Sequence, residues 1–334
     1  MTLTAANAPA AANPALPELV VSAEAPAQGS VLGCFVPGTS AAEWPSLPIG
    51  LQPLGEACGE YWHAGPLRGQ GGRPGHYYAH NGQLMMVTMD CADEDDDPAD
   101  LVQRCYQDLL ASVRSAGYPH LLRIWNYLPA INAGVGDQER YRRFCVGRAQ
   151  AMAEFGVASD QMCAATAIGS HDRSFRLFAL AGKAPGQSIE NPRQLSAWHY
   201  PADYGPVSPA FARATAVLLS EQRVALLVSG TASVLGHQTV HIGAVQAQTE
   251  EALRNLDSVL TAAAERMNAP GLAQLTPHSM VRLYVRHAAD WPLVEAIFKE
   301  RWPDVTVMGL HGDICREDLL VELEAWHCAQ HEER

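Results

Sequence analysis

VRLYVRHAADWPLVEAIFKERWPDVTVMGLHGDICREDLLVELEAW, residues 281–326, decides how this chain folds. Apolar and β-branched residues predict a strand over 281–286 and helical spacing predicts a helix over 291–302, with strands at 305–310 and 319–326. In the last strand Val321, Leu323 and Ala325 point one way, while Leu320, Glu322, Glu324 and Trp326 point the other. Two glutamates thus share one face of a strand that otherwise looks built for a core, ~7 Å apart. A solvated face makes them ordinary surface acids. A face turned against the rest of the molecule desolvates a carboxyl and raises its affinity for protons, which gives a general acid usable near neutral pH.

The same order of elements occurs upstream. A strand at 84–89 leads through the acidic turn 93–97 into a helix over 98–116, with Leu101, Val102, Cys105, Leu109 and Val113 on its apolar stripe. Pro98 suits the first helical turn and Gly117 the stop. A strand at 120–128, a helix over 137–155 and strands at 162–170 and 174–180 follow. The second pass begins with a strand at 224–229 and a helix over 249–267, and ends in the quoted stretch. Both passes read β-α-β-α-β-β, which suggests duplication of one unit of ~100 residues. The expectation is an α+β fold of two tandem halves, each a mixed sheet with helices packed on one face. Residues 1–30, rich in Ala and Pro, read as a mobile tail, 31–185 as the N-terminal domain, 186–215 as a Pro- and aromatic-rich linker and 216–334 as the C-terminal domain.

Bulk properties narrow the function. The 334 residues carry a net charge of −13, which argues against a nucleic-acid binder. Cations are 21 arginines and two lysines, Lys183 and Lys299; codon bias explains that as well as a need for planar forks that grip carboxylates. Eight cysteines without a CxxC pair read as reduced thiols. The first basic residue is Arg68, so a targeting peptide is not expected, and no apolar run reaches the ~18 residues of a membrane span. The chain reads as cytoplasmic, with a small-molecule ligand and no membrane partner.

Several residues are candidates for chemistry. His237 and His241, and His327 and His331, stand four apart, but HExxH is absent and the first pair lies in a segment with strand periodicity, so no metal site is expected. Residues 229–233 (SGTAS) read as a small-residue turn that either eases packing or lines a pocket. Tyr141, Cys145 and Arg148 form one stripe of the second helix. Tyr141 and Arg148 either clamp a carboxylate or serve as a core residue and a surface charge. Residues 190–214 are dense in proline and aromatic residues, and within them Tyr204 and Arg213 could form a second clamp; the plain alternative is a linker packed by its own rings. Cys315, seven residues before Glu322 and assigned to the start of the same strand region, either lines the same pocket or packs.

Residues 281–303 followed by DLLVELEAW resemble the C-terminal part of the RidA/YjgF fold. More specifically, RIWNYLPAIN (123–132), YRRFCVGRA (141–149), ENPRQLSAWHYPADYGPVSPAFARA (190–214), LLVSGTASVLGHQTVHIG (226–243) and HGDICREDLLVELE (311–324) resemble the chorismatase family, over residues ~80–326. The resemblance implies two RidA-like halves with the active site between them and cleavage of chorismate to pyruvate and a ring product, without metal or organic cofactor. It implies that Tyr141, Arg148, Tyr204 and Arg213 hold the substrate carboxylates and that Glu322 is the catalytic acid. Cys315 matches members that form 3- and/or 4-hydroxybenzoate rather than a dihydroxycyclohexadiene carboxylate, products that ubiquinone or pigment synthesis would consume. A RidA-like imine deaminase or small-ligand binding protein is the alternative. The expected oligomeric state is a monomer or a homotrimer.

Overall fold

The computed structural model describes residues 19–24, 31–38, 46–56, 58–158, 161–220 and 222–330. Most of the expected N-terminal tail, and His331 of the second histidine pair, lie outside these residues. Within the expected tail, however, Val20–Ser22 is a strand paired with Glu60–His63, and Leu19 and Val21 are buried.

Two seven-stranded sheets form the body. At the centre of the first, Ser174–Gly182 runs antiparallel to both Leu84–Ala92 and His120–Pro129, which in turn pairs in parallel with Ala164–Ser170. The second repeats the pattern: Val321–Gln330 lies antiparallel between Arg223–Ala232 and Met280–Val285, and Met280–Val285 pairs in parallel with Thr306–His311. In each half the fourth strand in sequence is therefore inserted beside the first. The tandem halves expected from the repeat are present. Each also gains strands that the pattern did not reveal, His76–His80 in the first and Ala214–Ser220 in the second.

Each sheet carries two helices on its outer face: α1 (Ala99–Ser115) and α2 (Arg140–Glu154) on the first, α3 (Val245–Met267) and α4 (Trp291–Arg301) on the second. Gly147 lets α2 approach α1 closely, because a β-carbon there would stand 2.1 Å from the Ala99 carbonyl oxygen. Arg140 fixes the start of α2, donating to the carbonyls of Pro129, Asp95 and Asp96 and pairing with Asp93. The acidic turn is thereby tied to the helix that carries Tyr141, Cys145 and Arg148.

The inner faces of the sheets meet through Trp125, Tyr127 and Phe178 on one side and Met280, Tyr284 and Trp326 on the other. A four-stranded sheet from the N-terminal region joins this layer, and its Phe35 and Trp62 rings lie 5.0 and 5.1 Å from Trp125. The halves also exchange edge strands. Asp313–Ile314 pairs with Ala164–Ser170 in the first sheet, and Gln52–Leu54 pairs with Thr306–His311 in the second. Cys315 therefore follows a strand of the opposite sheet and does not belong to the strand of Glu322, contrary to expectation.

Residues 186–215 are more than a linker. Gln187–Ile189 and Ala214–Ser220 are strands of the second sheet. Leu195 and Gly236 are joined by a backbone hydrogen bond, as are Ala212 and Cys163, so the connection is fastened to both halves. Residues 229–232 of the SGTAS segment lie within the strand Arg223–Ala232 and form a bulge, with the register shifting between Val228 and Thr231, rather than a turn.

Candidate active site

The six residues singled out as Glu322, Cys315, Tyr141, Arg148, Tyr204 and Arg213 all line one cavity of about 620 Å³ between the two halves. That size suits a small organic ligand. Tyr141, Cys145 and Arg148 reach it from α2, Tyr204 and Arg213 from the connection, and Glu322 from the second residue of the strand Val321–Gln330.

Glu322 lies on the strand face turned toward the first sheet and is 5 % exposed. Its backbone is opposite Ala232 on one side and Tyr284 on the other. Removal from water, together with the negative charge of Glu324, pushes its carboxyl up to about 8 against the opposing pull of Arg123, Arg213 and Arg316. The group keeps its proton at neutral pH. Neighbouring Glu324 has a different setting: it accepts from Trp125 Nε1 at 3.0 Å and Tyr284 OH at 3.0 Å and is paired with Arg123 and Arg282.

Among the described residues, six arginines are buried. Arg123, Arg140, Arg176 and Arg282 each pair with a carboxylate. Arg148 and Arg213 have no carboxylate within ion-pair distance, and the buried Nε of each lacks a hydrogen-bond partner. Arg148 contacts Met162 Sδ at 3.9 Å and stands over the Tyr106 ring; Arg213 donates to Leu195 O at 2.7 Å and Tyr200 OH at 2.8 Å. A buried guanidinium without a counter-charge is costly. An anionic ligand in the cavity would offset that cost for both.

Burial raises the Cys315 thiol to about 12, and the charge of Glu322 adds to the effect, so Cys315 is a neutral thiol and not a ready nucleophile. Tyr141 is likewise pushed well above the ordinary phenol range by burial and remains an O–H donor. Tyr204 OH lies 3.2 Å from His237 Nδ1. The histidines have other tasks than a shared ligand: His237 meets Tyr204, His241 faces Glu251 at 3.6 Å, and His327 bonds Ser279 and the Gly271 carbonyl.

Sequence reasoning missed Arg316, Thr166, Tyr200 and Gln194, all of which line the cavity. Arg316 lies 4.1 Å over the Tyr204 ring and donates to His237 O at 2.9 Å. Its position directly after Cys315 was the available signal. Arg123 and Thr166 gave no pattern, because their roles arise from the meeting of two sheets.

A duplicated α+β protein that holds a proton-loaded carboxyl and unpaired buried guanidiniums in the cleft between its halves is an enzyme for a small anion. Residues 60–181 match the family model described as "Chorismatase FkbO/Hyg5-like, N-terminal". A 3-hydroxybenzoate synthase of Streptomyces hygroscopicus is 35% identical over 322 residues, covering 90% of this chain and 92% of that protein. A chorismatase of the same organism is 39% identical over 275 residues, 80% of this chain and 79% of the other. A crystal structure of a chorismatase superposes with a TM-score of 0.82 at 34% identity, covering 94% of this chain and 98% of that one. The chain belongs to the chorismatase family.

Proposed function

We propose that the enzyme cleaves chorismate to pyruvate and a hydroxybenzoate, with Glu322 as the proton donor. The observation that carries this reading is the convergence of Arg148, Arg213 and a protonated, buried Glu322 on one cavity. Chorismate is a dianion, and two guanidiniums that have no carboxylate within ion-pair distance answer its two carboxylates by charge-assisted, fork-shaped hydrogen bonds. The Tyr141 and Tyr204 hydroxyls lie at the same cavity and can donate to the carboxylate oxygens.

With the substrate held, Glu322 transfers its proton to the methylene carbon of the enolpyruvyl group. The positive charge that develops beside the ether oxygen is then faced by the carboxylate just formed. Breaking the bond between the ring and that oxygen releases pyruvate as the ketone and leaves the ring positively charged. The ring aromatises by losing a ring proton, which restores the Glu322 acid, with the remaining hydroxyl oxygen staying in place for the 4-isomer and shifting to the vacated neighbouring carbon for the 3-isomer. Cys315 borders this space as a neutral thiol, and its role is to orient the departing group and favour the hydroxybenzoate over the diene. The 3-hydroxybenzoate synthase relative supports the 3-isomer as a product; formation of the 4-isomer beside it is part of the proposal. The eight unpaired cysteines support a reducing, cytoplasmic setting.

Purified protein incubated with chorismate should release pyruvate, with a hydroxybenzoate appearing in equal amount by chromatography. Glu322→Gln keeps the shape and removes the acid, so turnover should fall by roughly 10²–10⁴ while chorismate still binds. Near-normal pyruvate release by that variant would remove Glu322 from the mechanism.

A further inference from the structure

Glu324 does not line the cavity, yet it is the most heavily bonded carboxylate of the inter-sheet layer. It stands two residues from Glu322 on the same strand face, so the two carboxyls project in the same direction. Arg123 and Arg282 pair with it, and Arg282 continues into a two-pronged pair with Glu60 at 2.9 and 2.5 Å. Thr166 Oγ1 donates to Glu324 Oε2 at 2.5 Å and accepts from the backbone N–H of Gly230 at 2.9 Å. Gly230 is the residue on which the Glu322 carboxyl rests, since a β-carbon there would fall 1.9 Å from Glu322 Oε1. Glu324 is thus linked to the wall that seats Glu322.

Buried ion pairs of this kind contribute little net stability compared with apolar packing. The arrangement suits a different purpose. We infer that Glu324 is a positioning residue for proton transfer: its fixed negative charge keeps the proton on Glu322, and its bond through Thr166 sets where that carboxyl lies.

The groups that act on Glu322 come from every side. Arg123 from the first sheet, Arg213 from the connection and Arg316 from the segment after Asp313–Ile314 all favour its ionised form. Cys315 and Tyr141 face it as neutral groups. Glu324 is the charge that opposes the three guanidiniums. The inference rests on the reading of Glu322 as proton donor, under which turnover is present below the pH at which Glu322 ionises and is lost as pH rises through it.

The test is the pH profile of kcat/KM for pyruvate release. In Glu324→Gln the guanidiniums act unopposed, so the alkaline limb should move to lower pH by about one unit or more. Activity near pH 8 should fall about five-fold or more and recover toward the wild-type value at acidic pH. Glu324→Asp keeps the charge and should return the limb toward its original position. Arg123→Gln should move it the other way. An even loss at all pH values in Glu324→Gln, with an unmoved limb, overturns the inference. Should that variant fail to fold, Arg123→Gln decides, and a limb that stays in place or moves down overturns it. Glu322→Gln separates the two readings: activity there defeats the proton donor, whereas an inactive Glu322→Gln beside an unmoved Glu324→Gln limb defeats only the positioning role.

Discussion

Gly230 and Glu322 fit together so closely that a β-carbon on the glycine would lie 1.9 Å from the Glu322 Oε1 atom. The bulge in the strand Arg223–Ala232 creates this seat, and the missing side chain makes room for the carboxyl. Gly230→Ala should push the carboxyl from its place by about an ångström. We expect kcat for pyruvate release to drop by roughly 10², the scale of a small misplacement of a reacting group. Steady-state kinetics check this; an unchanged kcat would mean that the seat does not set the geometry of transfer.

Glu322 also makes the folded protein sensitive to alkali. Its carboxyl is raised from 4.5 to about 8 in the folded chain, so between those values the folded state holds a proton that the unfolded state has released. Stability from this group is fully present below about 4.5 and is lost as pH rises toward 8. Glu322→Gln should therefore melt higher than the wild type at pH 8, by an amount on the order of a few kcal/mol, and about equally at pH 4.5. Thermal denaturation at the two pH values reads the difference. A gap that does not grow with pH would show that Glu322 titrates normally.

Arg148 and Arg213 should act through binding. Each loses a charge-assisted contact in Arg148→Ala or Arg213→Ala, and KM for chorismate should rise roughly 10- to 100-fold, following the ~1.5–3 kcal/mol of such a bond. Binding of chorismate to the inactive Glu322→Gln protein, with and without the arginine changes, measures the same quantity free of chemistry. Unaltered affinity would exclude the arginine concerned from the clamp.

Cys315→Ala should leave the rate of pyruvate release within a few-fold of normal, because a thiol raised to about 12 carries no nucleophilic charge. The ring product should change instead, toward the non-aromatic diene or a different isomer ratio. Chromatography of the products decides, and an identical profile would reduce Cys315 to a packing residue.

Much of this molecule was legible in its sequence for a simple reason. The helices α1 and α2 and the strands that flank them follow periodic patterns set by one buried face, so periodicity finds them. The alternation in residues 319–326 correctly separated Glu322 and Glu324 from Val321, Leu323 and Ala325. The sequence could not say which face met the other half, because that depends on Arg123 and Trp125, about 200 residues away. The strand Gln187–Ile189 was hidden in a segment whose prolines read as a linker, and Ala214–Ser220 begins where that segment ends. Arg316 was passed over because one arginine among 21 has no local mark except its place directly after Cys315; its position over Tyr204 is what shows its part in the site.

The exchange of edge strands bears on how such an enzyme can be taken apart. Asp313–Ile314 completes the sheet of the other half, and Gln52–Leu54 does the same in return. A chain cut within 186–215 would yield two pieces that each lack part of their own hydrogen-bonding edge and hold part of the other's. Such pieces are suited to complement one another as a split enzyme rather than to fold alone. Chimeras made by swapping halves between relatives must carry these short segments across with the sheet they complete.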